Sequence, residues 1–269
     1  MTGLQHIHDT FAAARVEGRA ALMPYYTLGF PNPGNSLAIL EAIAGAGADL
    51  IELGVPFSDP LADGPTIQRS TQVALEQGMS VRGCLEQTAQ LRARGVAQPL
   101  LLMGYYNPLL AYGGAAGIER FVADAEAAGA GGLIVPDLPV EEAGELESVC
   151  QVHQMALVYL LAPTSPPARV AQVAARTRGF LYLVSLTGVT GARKTLPDDL
   201  AAFIERVRSA TATPLAVGFG IGGPEQARAV GRLADGVIVG SALINAVTSA
   251  NDPCAAAFAF VRDLRQALG

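Results

Sequence analysis

Short apolar runs alternate with longer alanine-rich segments along the whole chain, and this alternation constrains the fold more than any other feature. Each run has the length of a β-strand and is apolar throughout, as expected for a strand covered on both faces. The segments between them carry apolar residues three and four positions apart, which indicates helices. Strands that alternate with helices pair in parallel. The predicted strands lie near residues 22–28, 49–54, 99–105, 131–136, 156–161, 180–186, 214–219 and 235–240.

Eight strand–helix units predict a single α/β domain, residues 1–269, folded as a closed (β/α)8 TIM barrel. An extra N-terminal helix near residues 8–17 is expected to cover the barrel floor. An open doubly wound sheet is the alternative, but the count of eight and the lack of an early Gly-x-Gly-x-x-Gly turn favour the barrel. The predicted helices include residues 36–46, 81–94, 116–128, 167–176, 200–209 and 224–232.

Charge and hydropathy exclude several classes of partner. The net charge is −6 and no basic block occurs, which argues against nucleic acid and anionic membranes. The apolar runs are too short to span a bilayer, and residues 1–19 have no signal-peptide core. Cys84, Cys150 and Cys254 are scattered, as expected for reduced thiols in helix packing. We therefore expect a cytoplasmic protein.

A cluster of carboxylates follows the second predicted strand. Glu52 ends that strand, and a connection with three prolines then carries Asp59 and Asp63. A carboxylate that ends a buried strand is costly, and burial would raise its pKa until it exchanges protons near neutral pH. Asp63 is expected to stay ionised and to stabilise positive charge, whereas Asp59 suits a turn or a surface that faces a partner.

Other catalytic groups are scarce. The only lysine, Lys194, lies in a long connection, so a Schiff-base mechanism is disfavoured. The histidines are His6, His8 and His153, and none ends a predicted strand, so we expect no metal site. Asp137 follows the fourth strand, but an acid in that place is typical of a turn or a helix cap.

Two glycine-rich connections predict a phosphate site. They follow the seventh and eighth strands, at residues 218–223 and at Gly240-Ser241, where barrels of this class often bind phosphate through backbone N–H groups. Alternatively, these glycines only form tight turns. The sixth connection, residues 186–197, is either a mobile lid over the pocket or a surface loop without a catalytic role.

Apolar and aromatic residues near the strand ends predict a pocket for a flat apolar group opposite the phosphate. Together with the carboxylates, they indicate acid–base cleavage or isomerisation of a phosphorylated, partly aromatic metabolite. The predicted wall residues are Tyr25, Met103, Tyr105, Ile134, Tyr182 and Phe219.

These residues lie in or close to motifs that resemble the α subunit of tryptophan synthase, and the resemblance covers nearly the whole chain. The most specific motif is ELGVPFSDPLADGPTIQ at residues 52–68. Tyr25 stands where this family commonly has phenylalanine, and Met103 where it commonly has leucine. Supporting motifs are YTLGFP from residue 26, MGYYNP from 103, VPDLPVEE from 135, SLTGVTGA from 185 and VGFGI from 217.

The resemblance implies a retro-aldol cleavage of indole-3-glycerol phosphate to indole and glyceraldehyde 3-phosphate, without cofactor or metal. Glu52 would be the general acid and base, and Asp63 would accept a hydrogen bond from the indole N–H group. Thr190 would orient Asp63. Phosphate-binding positions would be Gly191, Phe219, Gly220, Gly240 and Ser241. Substrate-binding positions would be Tyr25, Met103, Tyr105, Ile134, Pro136, Tyr182 and Thr190.

The resemblance also implies a partner, a β subunit in an α2β2 tetramer. That subunit would carry pyridoxal phosphate and receive indole through an internal tunnel. The loops at residues 56–60 and at Asn107-Pro108 would face it.

Two other functions stay open at this point. One is another phosphate-binding barrel, such as a sugar-phosphate epimerase or a histidine- or thiamin-pathway enzyme. The other is a catalytically silent barrel that regulates its partner.

Overall fold

The computed structural model describes residues 1–184, 199–218 and 220–269. In these residues nine parallel strands form one sheet, in the order β5-β4-β3-β2-β1-β9-β8-β7-β6. The strands are β1 (Ala21–Thr27), β2 (Ile51–Gly54), β3 (Leu100–Met103), β4 (Gly132–Ile134), β5 (Ala156–Val158), β6 (Leu160–Leu161), β7 (Leu181–Val184), β8 (Leu215–Gly218) and β9 (Gly236–Val239).

The sheet curls into a nearly closed barrel because one chain segment joins its two edges. The predicted fifth strand is divided at Tyr159 into β5, which pairs with β4, and β6, which pairs with β7. The backbone of Tyr159 stays satisfied at the break, since its N–H group donates to Thr177 Oγ1 at 3.2 Å and its carbonyl accepts from the N–H group of Tyr182 at 3.0 Å. The predicted (β/α)8 TIM barrel is confirmed, with this division of one strand as the difference.

Helices surround the barrel, and each helix predicted above is present to within three residues at either end, except that the N-terminal helix begins at Gly3, five residues before the predicted start. A 3₁₀ turn, Gly114–Ala116, separates two of them. In the described residues the helices are α1 (Gly3–Val16), α2 (Pro33–Gly45), α3 (Pro65–Glu76), α4 (Val81–Ala93), α5 (Tyr106–Gly113), α6 (Gly117–Ala127), α7 (Gly144–Val152), α8 (Pro167–Arg176), α9 (Leu200–Arg208), α10 (Pro224–Gly231), α11 (Ser241–Thr248) and α12 (Pro253–Leu268).

The strands are covered on both faces, which explains their continuously apolar sequence. Every residue of β1, β2 and β9 is buried. Alternate side chains such as Leu22 and Ile51 pack outward against the helices, whereas Met23 and Leu101 belong to a second cluster inside the barrel. The three cysteines are free and lie on α4, α7 and α12, as predicted. Of the helices in the described ranges, none is long and apolar enough to cross a membrane.

The N-terminal helix α1 closes the floor of the barrel, as predicted. Thr2 caps its start by accepting a hydrogen bond from the N–H group of Gln5. Ile7 and Phe11 are buried in the inner cluster, and the Phe11 ring lies 5.6 Å from the ring of Phe180, just before β7. Because α1 occupies the ends where the strands begin, the residues that the structure describes leave the barrel open where the strands end.

Removing the Phe11 ring is expected to destabilise the fold strongly. Phe11→Ala leaves a cavity in a packed interior, which typically costs about 3–5 kcal/mol. Unfolding by urea, followed by circular dichroism, measures the loss. Phe258→Ala on α12 is the matched control: that side chain is 40% exposed, so its loss is expected to be clearly smaller, about 1–2 kcal/mol. Equal losses in both variants would show that α1 does not close the barrel.

Candidate active site

The prediction that Glu52 ends its strand is wrong: Glu52 is the second of the four residues of β2, which ends at Gly54, and it is fully buried and unpaired. It lies on β2 with Tyr25 and Leu101 as its neighbours on β1 and β3, so its side chain points into the barrel. Its exposed fraction is zero, and neither carboxylate oxygen has a hydrogen-bond partner among the described residues. Burial raises the pKa of Glu52 to about 8. A group of this kind is protonated near neutral pH and gives up its proton readily.

Asp63 is held by Tyr105 in the connection between β2 and α3. The Tyr105 hydroxyl donates to Asp63 Oδ2 at 3.1 Å and accepts from the N–H group of Ala62 at 2.9 Å. Burial raises the pKa of Asp63 to about 6, although the hydrogen bond from Tyr105 acts to lower it. Asp63 is therefore mostly ionised at pH 7, as predicted.

The same connection is fixed at further points. The Phe57 ring packs 5.3 Å from the ring of Tyr105, Gln68 Nε2 donates to the Asp63 carbonyl at 2.8 Å, and Thr66 Oγ1 donates to Asn245 Oδ1 of α11 at 3.4 Å. Sequence analysis placed Phe57 only in the loop at residues 56–60 that would face a partner, and it missed the packing of this ring against Tyr105. These contacts hold the Asp63 carboxylate in place above the barrel.

Two tyrosines lie close against glycine backbone near both carboxylates. A Cβ atom on Gly54 would lie 2.1 Å from the Tyr25 hydroxyl, and one on Gly218 would lie 2.3 Å from the Tyr182 hydroxyl. Only glycine permits these approaches. Burial and the charges of Asp63 and Glu52 raise the pKa of Tyr25, and burial, Glu52 and Asp63 raise that of Tyr182. The two phenols are therefore neutral and neighbour the carboxylates.

The remaining predicted wall residues also lie at this end of the barrel. Met103 and Ile134 are paired on β3 and β4 and belong to the inner side of the sheet. Pro136 lines a cavity of about 330 Å³ together with Leu160 and other residues. The structure thus brings Tyr25, Met103, Tyr105, Ile134, Pro136 and Tyr182 to the end of the barrel that carries Glu52. Their role in binding stays a prediction.

The predicted phosphate end is described in part. Gly240 caps α11, which begins at Ser241, and a Cβ atom on Gly240 would lie 3.2 Å from the Tyr25 ring. Gly220 has a positive φ of 77°, and the N–H group of Gly222 donates to Gln226 Oε1. Gly240 therefore lies beside the same tyrosine as the strand of Glu52. Four of the predicted features lie outside the described residues: Thr190, Gly191, Phe219 and the whole of the predicted lid at 186–197.

The other acidic residues have structural contacts. Asp137 accepts hydrogen bonds from the N–H group of Tyr106 at 3.0 and 3.3 Å, so it caps α5 of the preceding unit rather than its own helix. Asp59 is exposed and accepts from the Ser58 hydroxyl at 2.5 Å. His153 caps the end of α7. In the part of the chain that the structure describes, no three His, Cys, Asp or Glu side chains are grouped as metal ligands.

Known proteins resemble the chain in both sequence and fold. The family model described as tryptophan synthase alpha chain matches residues 11–267. The tryptophan synthase alpha chain of Chloroflexus aurantiacus is 53% identical over 98% of this chain and 99% of its own, and that of a Roseiflexus species is 51% identical over 97% and 100%. Among solved structures, Mycobacterium tuberculosis tryptophan synthase has a TM-score of 0.90 at 37% identity, covering 97% of both chains. Tryptophan synthase subunit alpha from Legionella pneumophila also has a TM-score of 0.90 at 37% identity, and the match covers 98% of this chain and 98% of that one. The chain therefore belongs to the tryptophan synthase alpha chain family.

Proposed function

We propose that this chain, folded as one domain over residues 1–269, cleaves indole-3-glycerol phosphate to indole and glyceraldehyde 3-phosphate in tryptophan biosynthesis. Membership of the family supports a lyase of this pathway. The observation that carries the proposal is Glu52: a fully buried, unpaired carboxyl group with its pKa raised to about 8, at the open end of the barrel. A group with a pKa near the working pH is suited both to donate and to accept a proton.

The cleavage requires one proton to be given and one to be taken, and Glu52 does both. Protonated Glu52 donates its proton to carbon 3 of the indole ring, and the ring becomes an indoleninium cation. The Glu52 carboxylate then removes the proton of the hydroxyl on the carbon bonded to carbon 3. As that oxygen forms an aldehyde, the carbon–carbon bond breaks and its electron pair neutralises the ring. Glu52 ends protonated again, so one carboxyl group completes the cycle.

Asp63 stabilises the positive charge that this route creates. Its carboxylate is mostly ionised at pH 7 and held by Tyr105. It accepts the hydrogen bond of the indole N–H group, which becomes more acidic as the ring gains charge. A fixed opposite charge in a site of low dielectric stabilises such a transition state strongly. No step needs a metal ion or a cofactor bound to this chain.

The substrate phosphate would lie at the glycine-rich turns. The positions concerned are Gly220, the start of α11 at Gly240 and Ser241, and Gly191 and Phe219. Thr190 would orient Asp63. A helix N-terminus and glycine backbone attract anions through their N–H groups. The aromatic part of the substrate would contact Tyr25, Met103, Tyr105, Ile134, Pro136 and Tyr182.

A β subunit with bound pyridoxal phosphate would receive the indole in an α2β2 complex. The surface at the β2–α3 connection supports such a contact. Leu61 lies in this connection and is 93% exposed. A cavity of about 350 Å³ lies along the same connection, and its lining includes Phe57, Pro60 and Arg69. Asn107-Pro108 lies at the start of α5, which follows β3, the strand next to β2 in the sheet. The three free thiols suit a reducing cytoplasm.

Indole release from indole-3-glycerol phosphate tests the proposal. We expect the purified chain to release indole alone, and faster with a tryptophan synthase β subunit present, because the partner contacts the connection that holds Asp63. Treatment with EDTA followed by dialysis is expected to leave the rate unchanged. A chain that speeds its partner but releases no indole would be a silent regulatory barrel. A rate lost to EDTA and restored by a divalent metal would contradict the metal-free mechanism.

A further inference from the structure

A buried chain of three hydroxyl groups connects the pocket to helix α3. The Tyr25 hydroxyl lies 3.4 Å from Thr27 Oγ1, which lies 2.7 Å from Ser70 Oγ. Ser70 Oγ in turn lies 2.8 Å from the carbonyl oxygen of Ile67. Thr27 and Ser70 are 0% and 1% exposed, so water does not compete for these groups.

The direction of each hydrogen bond follows from counting protons. A hydroxyl has one proton to donate, and a carbonyl oxygen has none. Only Ser70 can donate in its contact with Ile67, so its proton is used there. The contact between Thr27 and Ser70 at 2.7 Å must then use the Thr27 proton, because two oxygens at that distance repel without one. The last contact, at 3.4 Å, is longer than an ordinary hydroxyl hydrogen bond, and Tyr25 holds the one proton of the chain that is not yet used, so we infer that this proton points towards Thr27.

The Tyr25 oxygen lies beside the strand of Glu52. The ring of Tyr25 lies between Gly240 and Gly54, and its hydroxyl end is nearest Gly54, two residues after Glu52 on β2. The charges of Asp63 and Glu52 both act on this hydroxyl, which places it near the two carboxyl groups. With its proton turned to Thr27, the phenol has only lone pairs to offer in the pocket.

We propose that Thr27 and Ser70 are positioning residues that turn the Tyr25 proton away from the pocket, so that Tyr25 accepts a hydrogen bond from the substrate. This rests on the proposed function. The substrate has three proton donors besides its phosphate: the indole N–H group, which Asp63 takes, and two hydroxyls. Glu52 takes the proton of the hydroxyl beside the ring. The second hydroxyl of the glycerol chain is the donor that remains for Tyr25.

A double-mutant cycle tests whether Ser70 acts through Tyr25. Tyr25→Phe, Thr27→Val and Ser70→Ala are each expected to lower kcat/KM for indole release by about tenfold, roughly the value of one hydrogen bond. In Tyr25→Phe, adding Ser70→Ala is expected to cause no further loss. Thr27→Ser keeps the hydroxyl and is expected to keep the parent kcat/KM. The matched control is Thr88→Val, which removes a fully buried hydroxyl bonded to the Cys84 carbonyl in α4 and is expected to change nothing.

Binding of an unreactive analogue gives a second readout. In this analogue hydrogen replaces both hydroxyls of the glycerol chain, so the parent and Tyr25→Phe are expected to bind it with equal affinity. Losses for Tyr25→Phe and Ser70→Ala that multiply, a loss in Thr88→Val equal to that in Thr27→Val, or weaker analogue binding by Tyr25→Phe would each overturn the inference. If the parent itself releases no indole, the proposed function fails instead, so the two failures are distinguishable.

Discussion

Replacing Glu52 by glutamine is expected to abolish indole release while leaving the fold intact. Glutamine has nearly the same size and fits the same buried position on β2, but it neither donates an acidic proton nor accepts one. Both proton transfers of the cleavage then lack the carboxyl group that donates and accepts the proton. We expect the rate to fall by about 10⁴-fold or more, because one general acid–base group typically contributes 10²–10⁴-fold and Glu52 acts in two steps.

The same substitution is expected to stabilise the folded chain above neutral pH. The pKa of Glu52 is about 8 in the folded state, against 4.5 for an unburied glutamate. Between these values the folded state binds a proton that the unfolded state has lost, so stability falls as the pH rises from about 4.5 to about 8. Glutamine has no charged form, so this part of the pH dependence disappears in Glu52→Gln.

Urea unfolding at pH 5 and pH 8.5, together with indole release, measures both effects. Glu147→Gln is the control, and its expected effects on stability and activity are the opposite of those of Glu52→Gln. Glu147 bonds Arg176 at 2.6 and 2.8 Å and Tyr159 at 2.6 Å, away from Glu52, so its loss is expected to reduce stability and preserve activity. A Glu52→Gln variant that keeps most of its activity would refute the acid–base role. A pH dependence of stability equal to that of the parent would refute the raised pKa.

Sequence alone predicted the features that depend on local pattern. The alternation of apolar runs with amphipathic segments is visible in windows of about ten to fifteen residues. It therefore predicted the barrel and the N-terminal helix. The burial of Glu52 could be predicted in the same way, because an acid that belongs to an apolar run is buried together with the strand that the run forms.

Features that depend on distant partners were beyond the sequence. The division of the fifth strand at Tyr159 depends on Thr177, eighteen residues later. Asp137 caps α5, which precedes it by about thirty residues. The need for glycine at position 54 arises from the Tyr25 ring on the neighbouring strand. Each requires knowledge of which segments lie side by side, and periodicity does not contain that information.

Asp63→Asn is expected to lower kcat for indole release by about 10²–10³-fold, the range seen when one electrostatic group that stabilises a transition state is removed. Asparagine keeps an oxygen that can accept the indole N–H hydrogen bond, but it has no charge to oppose the cation. Affinity for the analogue without glycerol hydroxyls is expected to change little, because the proposed phosphate site is separate from Asp63. Loss of analogue binding would show instead that Asp63 holds the pocket together.

The pH profile of kcat/KM distinguishes the charge of Asp63 from its shape. The proposed mechanism requires ionised Asp63, and its pKa is about 6, so the parent is expected to lose activity as the pH falls through 6. The hydrogen bond from Tyr105 lowers that pKa. Tyr105→Phe removes the bond, so the acid limb is expected to move to higher pH, with activity largely kept well above it. In Asp63→Asn the limb is expected to vanish.

Tyr112→Phe is the matched control for Tyr105→Phe. It removes a tyrosine hydroxyl that donates to Asp124 at 2.7 Å on the outer helices, so the acid limb is expected to stay where it is in the parent. A limb that is unmoved in Tyr105→Phe, or that persists in Asp63→Asn, would assign this titration to another group. Asp63 would then contribute to the shape of the pocket and not to its charge, and the stabilisation of the indoleninium cation would have to come from elsewhere in the barrel.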